Sequence, residues 1–79
     1  MMKFNDLWNA NYIKLVSDGI ESSQRNSMGA DFLEDLILKA KDAYYNEGNP
    51  ILSDQDYDKA ETYLRTLRPD SIVLEKVGS

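Results

Sequence analysis

The sequence predicts an all-α fold of three helices, the last two of which form a tight hairpin. Apolar residues recur at spacings of three and four in three separate stretches, as on one face of a helix. Glycine or proline follows each stretch, and both residue types end helices. The remaining apolar run, "SIVL" near the C-terminus, has no strand-like segment to pair with. A chain of 79 residues forms one small domain with a thin core.

The first helix is predicted over residues 4–17 and ends at Asp18-Gly19, where glycine can adopt the left-handed conformation of a helix C-terminus. The next segment, "ESSQRNSMG", is almost devoid of apolar residues and predicts a flexible connection. We therefore expect an N-terminal helix with a flexible connection in residues 1–30. Residues 31–79 are expected to form a helical hairpin with a short extended tail.

The second and third helices are predicted from their capping residues as well as from apolar residues at helical spacing. Asp31, with Glu34 three residues later, resembles a capping box, and Gly48-Asn49-Pro50 ends the second helix. Ser53 begins the third helix with Asp56 in the reciprocal capping position. The predicted buried stripes are Phe32, Leu33, Leu36, Ile37, Ala40 and Tyr44 in the second helix, and Tyr57, Ala60, Leu64 and Leu67 in the third.

The composition excludes several classes of function. With neither cysteine nor histidine, the chain has no disulfide framework, no usual zinc site and no Cys or His catalytic group. Its net charge of −5 provides no basic surface for nucleic acid or for an anionic membrane. No apolar run approaches the roughly 20 residues of a membrane span. We expect a cytoplasmic protein without a metal site.

The segment "AYYNEGNPILSDQDYD" (residues 43–58) carries the candidate site. An antiparallel hairpin brings Tyr44 and Tyr45, at the end of one helix, to Asp54, Tyr57 and Asp58 at the start of the next. Aromatic faces attract a flat cation, and carboxylates accept hydrogen bonds from sugar hydroxyls. Nicotinamide riboside contains both groups, so these five residues predict a site for it. The residues alone leave an alternative open, in which the tyrosines are core residues and the aspartates are caps or solvated charges.

This segment resembles domain Ia, the N-terminal helical domain of bacterial-type NAD-dependent DNA ligases, which serve DNA replication and repair. The resemblance covers roughly residues 32–79. It rests on Tyr44-Tyr45, Pro50, Leu52-Ser53-Asp54 and Tyr57-Asp58 at the family's spacing, followed by Val77-Gly78.

The resemblance implies a domain that binds the nicotinamide mononucleotide (NMN) half of NAD. A separate nucleotidyltransferase domain would hold the AMP half and carry the attacking lysine. Tyr44 and Tyr57 would frame the nicotinamide, and Tyr45 would contact the nucleotide. Asp54 and Asp58 would accept hydrogen bonds from the ribose hydroxyls and attract the positive charge of the ring. No residue of this chain would be catalytic.

Besides a hairpin that is only a stable helical domain with a residual motif, two functions remain open, because the family's adenylation motif, Lys-x-Asp-Gly, does not occur in this chain. One is a module that captures NAD and acts only with a nucleotidyltransferase domain supplied elsewhere. The other is a complete small protein, such as a phage-encoded one, that docks on a host protein without catalysis. Trp8 fits either function, as a core anchor or as an interface residue.

Overall fold

The computed structural model describes residues 2–74, which form three helices and contain no strand. They are α1 (Phe4–Ser17), α2 (Ser22–Asp42) and α3 (Asp54–Leu67). A π-helical turn, Ala43–Glu47, extends α2, and a short 3-10 helix, Ile72–Leu74, follows α3. The predicted all-α class is confirmed. None of the helices in the described part of the chain is both long and apolar enough to cross a membrane.

Helix α1 has the predicted bounds. Its end is closed by Gly19, whose φ of 76° is left-handed and whose N–H donates to the Val16 carbonyl. At its start, the Met2 N–H donates to the Ile51 carbonyl over 2.9 Å, which ties α1 to the loop before α3.

Helix α2 begins nine residues before the predicted start at Asp31, so the expected flexible connection is wrong. The segment lacks large apolar residues, but its small residues pack closely against α1, and this packing stabilises the helix. Gly29 and Ala30 are both buried, and the Trp8 ring lies over Gly29. The predicted division of the chain at residues 30 and 31 stays a prediction, although α2 runs through both without a break.

The predicted capping box at Asp31 is also wrong, because both of its carboxylates lie inside α2 and bind Arg68. Nη1 of Arg68 lies 2.8 Å from Asp31 Oδ1 and 2.8 Å from Glu34 Oε1. The hydrogen bond with Asp31 contributes most to raising the pKa of Arg68 above its usual value, and Glu34 adds to this effect. Glu34 also accepts the hydroxyl of buried Ser71, so this cluster joins α2 to the chain after α3.

The core lies between α2 and α3 and is closed by α1. Its four largest fully buried side chains are Phe4, Leu33, Ile37 and Leu64. Trp8 packs against this core half-buried, with its ring 6.2 Å from Phe4 and 5.6 Å from Tyr63 between centroids. The structure therefore places Trp8 as a core anchor.

The start of α3 is confirmed in part. Ser53 caps the helix, since its hydroxyl accepts the Asp56 N–H over 3.2 Å. The Asp56 carboxylate does not return to Ser53, as a capping box requires, but accepts the Phe4 N–H at 3.2 Å. One side chain thus joins the N-termini of α1 and α3.

The extended tail is wrong for the residues that the structure describes. Ile72–Leu74 form a 3-10 turn, and Val73 is buried against the core. The turn forms because the Leu74 N–H donates to the Ser71 carbonyl, and the Ser71 hydroxyl accepts the Val73 N–H. Val77 and Gly78, which contribute to the family resemblance, lie outside the described residues.

Candidate functional site

The connection from α2 to α3 determines where the candidate residues lie. At Ala43 the helix widens from its regular pattern into a π turn, in which the Gly48 N–H donates to the Ala43 carbonyl. Gly48 then adopts a φ of 67°, a left-handed conformation that glycine tolerates best. Pro50 cannot continue the helix, and bends at Ile51 and Leu52 lead the chain to the Ser53 cap. A π turn carries one extra residue per turn, so it changes the directions of Tyr44 and Tyr45 relative to a regular helix.

A cleft of about 200 Å³ opens between this turn and the first turns of α3. Buried Ala40 and Leu52 give it an apolar base. Its lining comprises Ala40, Lys41, Tyr44, Tyr45, Pro50, Leu52, Asp54 and Tyr57. The structure thus brings four of the five predicted site residues to one cleft. The fifth, Asp58, is exposed on α3 and does not line the cleft.

Tyr44 and Tyr45 form an exposed aromatic pair. Their side chains are 58% and 78% exposed, and their rings lie perpendicular with centroids 5.3 Å apart. Tyr44 shares the helical spacing of the predicted buried stripe, but its exposure shows that the assignment as a core residue is wrong. An aromatic pair at this exposure has ring faces available to a ligand.

Tyr57 is half-buried on the facing helix, where it packs against the core. Burial raises the pKa of its hydroxyl to about 12, and the nearby Glu61 carboxylate and Tyr45 add to the shift. The phenol is therefore protonated at neutral pH and can donate one hydrogen bond. Tyr57 is both a core residue on one side and part of the cleft wall on the other.

The cleft has charges of both signs. Asp54, in the first turn of α3, is exposed. Lys41 is half-buried, and none of the ion pairs formed by the described residues includes it. Lys41 was not among the predicted site residues, although it lies one helical turn before Tyr44 and this spacing could have identified it. Residues 2–74 contain no group of three or more acidic side chains placed to hold a metal ion.

Comparison with known proteins relates the chain to viral DNA ligases. It is 50% identical over 45 residues to the protein named "Putative DNA ligase 052L" of Invertebrate iridescent virus 3, covering 56% of this chain. It is 32% identical over 53 residues to the DNA ligase of Acanthamoeba polyphaga mimivirus, covering 67% of this chain. The chain spans only 6% and 8% of the length of these relatives. No family model matches the chain, and no solved structure matches it.

Proposed function

We propose that the chain is an NMN-binding module related to domain Ia of NAD-dependent DNA ligases. It acts only with a nucleotidyltransferase domain supplied elsewhere. One observation carries the proposal: Tyr44, Tyr45, Asp54 and Tyr57 line a single cleft. Similarity to viral DNA ligases over 45 to 53 residues supports it.

The chemistry of the cleft matches a ligand with a flat cation, a sugar and a phosphate. The tyrosine faces attract the pyridinium ring, a contact that contributes about 0.5–1 kcal/mol at exposed sites. The Asp54 carboxylate faces that positive charge, and the Tyr57 hydroxyl donates a hydrogen bond to a ribose or carboxamide oxygen. Lys41 at the edge of the cleft binds the phosphate.

The size of the cleft supports the proposal that the module acts with a partner domain. Small-molecule sites usually measure about 300–1,000 Å³, and this cleft measures about 200 Å³. It therefore encloses one face of the nicotinamide riboside, and the other domain covers the opposite face. We expect the isolated chain to bind NMN with a Kd near 1 mM, which corresponds to about −4 kcal/mol.

Within the ligase reaction that the resemblance implies, this chain orients a leaving group. NAD supplies the adenylyl group, and NMN departs when the lysine of the partner domain attacks. Holding the NMN half in line with the attack lowers the entropic part of the barrier. The cleft binds and orients the NMN half of NAD, and the partner domain contributes the nucleophile.

The charge on the ring gives a sharp test of this assignment. An exposed charge pair about 4 Å apart contributes about 1 kcal/mol in water, or roughly fivefold in Kd. Asp54→Asn should weaken NMN binding by about that factor and leave binding of reduced NMN, whose ring is neutral, unchanged. Asp6→Asn is the matched control, because Asp6 is also an exposed carboxylate in the first turn of a helix. Equal weakening by both variants, or equal loss for both ring forms, would contradict the assignment.

A second experiment tests the requirement for a partner domain. The chain is added to a nucleotidyltransferase domain of an NAD-dependent ligase from which the native helical domain has been deleted. The proposal predicts NAD-dependent adenylation of that domain's lysine, which Tyr57→Ala in this chain abolishes. Adenylation that does not depend on the added chain would contradict it.

The outer face of α1 favours the second candidate function, docking on another protein. Ile13 and Val16 are 63% and 46% exposed on this face. Docking predicts partner binding that Ile13→Asp abolishes, with no measurable affinity for NMN. Saturable NMN binding would reject docking as the sole function.

A further inference from the structure

A second cleft, of about 310 Å³, lies between α1 and the first half of α2. It shares no residue with the cleft lined by Tyr44, Tyr45 and Tyr57, which we call the tyrosine cleft. Its volume is at the lower end of the range for small-molecule sites. It is lined by Trp8, Asn11, Tyr12, Leu15, Ser22, Arg25, Asn26 and Gly29. We call it the α1–α2 cleft.

The lining residues form two facing stripes, each at positions i, i+3, i+4 and i+7 of its helix. Two helices usually meet through apolar residues at these positions. Here Asn11, Ser22, Arg25 and Asn26 take half of the positions, and a cavity remains between the helices. The polar side chains that line it are therefore available to a ligand.

Arg25 is the only charged residue that lines the α1–α2 cleft, and neutral groups hold it in place. Its Nη1 donates to the Ile20 carbonyl over 3.1 Å, and its guanidinium lies 5.5 Å from the centre of the Tyr12 ring. None of the ion pairs among the described residues includes it, although the chain carries a net charge of −5. A half-buried guanidinium with spare N–H donors in a fixed orientation is suited to a carboxylate or a phosphate.

The rest of the lining provides an aromatic surface and an amide edge. The Trp8 ring is fixed by its contacts with Phe4, Phe32 and Tyr63. The Asn11 and Asn26 amides make no hydrogen bond to another side chain or backbone group within residues 2–74. Each amide therefore retains a donor and an acceptor for a ligand.

We propose that the α1–α2 cleft binds a small ligand in which a flat ring carries a carboxylate or a phosphate. Arg25 binds the anionic group, the Trp8 ring packs against the flat body, and Asn11 and Asn26 bind its polar edge. The proposal does not depend on NMN binding in the tyrosine cleft.

Trp8 is the sole tryptophan of the chain and lines the α1–α2 cleft, so its fluorescence reports ligand binding directly. The probes are adenosine monophosphate and nicotinate, which join a ring to a phosphate or to a carboxylate. Adenosine and inorganic phosphate are the two halves of adenosine monophosphate. We expect a saturable change with at least one of the joined probes. Adenosine monophosphate should bind with a Kd at least tenfold lower than adenosine or inorganic phosphate alone.

Arg25→Gln should raise that Kd about tenfold or more, because it removes a charge-assisted hydrogen bond. Arg65→Gln is the matched control, since Arg65 is exposed on α3 and outside the cleft, and it should leave the Kd unchanged. Asn26→Leu should also weaken binding, and it gives a second variant if Arg25→Gln unfolds. Tyr57→Phe should have no effect, which separates this site from the tyrosine cleft.

Two outcomes would overturn the proposal. One is the absence of a saturable change with both joined probes. The other is a change that persists equally in Arg25→Gln and Asn26→Leu.

Discussion

Gly29→Ala tests the close packing of α1 on α2, which also forms one wall of the α1–α2 cleft. A Cβ placed on Gly29 would lie 2.9 Å from Cη2 of Trp8, closer than two carbon atoms can pack. The ring cannot easily move away, because Phe4, Phe32 and Tyr63 contact it. The substitution must therefore strain the contact between the two helices.

The expected magnitude follows from two opposing effects. Overpacking in a well-packed site costs about 1–3 kcal/mol. Replacing glycine by alanine inside a helix stabilises by about 1 kcal/mol. We therefore expect Gly29→Ala to lower the free energy of unfolding by up to about 2 kcal/mol. In a Trp8→Phe background the clashing atom is absent, so the same substitution should stabilise by about 1 kcal/mol.

Urea unfolding of the four proteins in this double-mutant cycle measures the difference, with far-UV circular dichroism as the probe. We expect the effect of Gly29→Ala on the free energy of unfolding to change sign between the two backgrounds. An equal effect of Gly29→Ala in both backgrounds would show that the cost does not arise from Trp8.

Three further predictions concern the elements that position the tyrosine cleft. The pKa of Tyr57 lies near 12 in the folded protein against about 10 in the unfolded chain, so the folded state binds more protons between these values. The unfolding free energy, measured from urea midpoints, should consequently fall as pH rises from 10 to 12. Tyr57→Phe should lack the part of this fall that Tyr57 contributes. Arg68→Lys should lower the urea midpoint more than Arg65→Lys, since lysine lacks the second guanidinium nitrogen: Nη1 donates to Asp31 and Glu34, and Nη2 donates to the Ser27 carbonyl. Equal midpoints would contradict this. Ser53→Ala should cost about 1 kcal/mol and Ser53→Thr less, and an equal cost for both would argue against the cap.

Helix α3 and the bounds of α1 were predictable because their determinants are local. The Ser53 cap, the left-handed Gly19 and the apolar stripes act within one or two helical turns of the residues concerned. The same reasoning placed Tyr44, Tyr45, Asp54 and Tyr57 together, since a short hairpin determines which helix ends meet.

The errors arose where distant residues decide the structure. The start of α2 is buried by Trp8 over Gly29, a contact between helices that leaves no apolar stripe in the sequence. Asp31 and Glu34 have the spacing of a capping box, but their partner is Arg68, more than thirty residues away. The π turn, which exposes Tyr44 although it lies on the apolar stripe, has no sequence signature of this kind.

The most direct test of NMN binding is a titration of the isotopically labelled protein with NMN, followed by amide chemical shifts. We expect saturable shifts at Lys41, Tyr44, Tyr45, Asp54 and Tyr57. A titration without shifts up to millimolar NMN would contradict the proposed function. Shifts confined to residues outside the tyrosine cleft would contradict it as well.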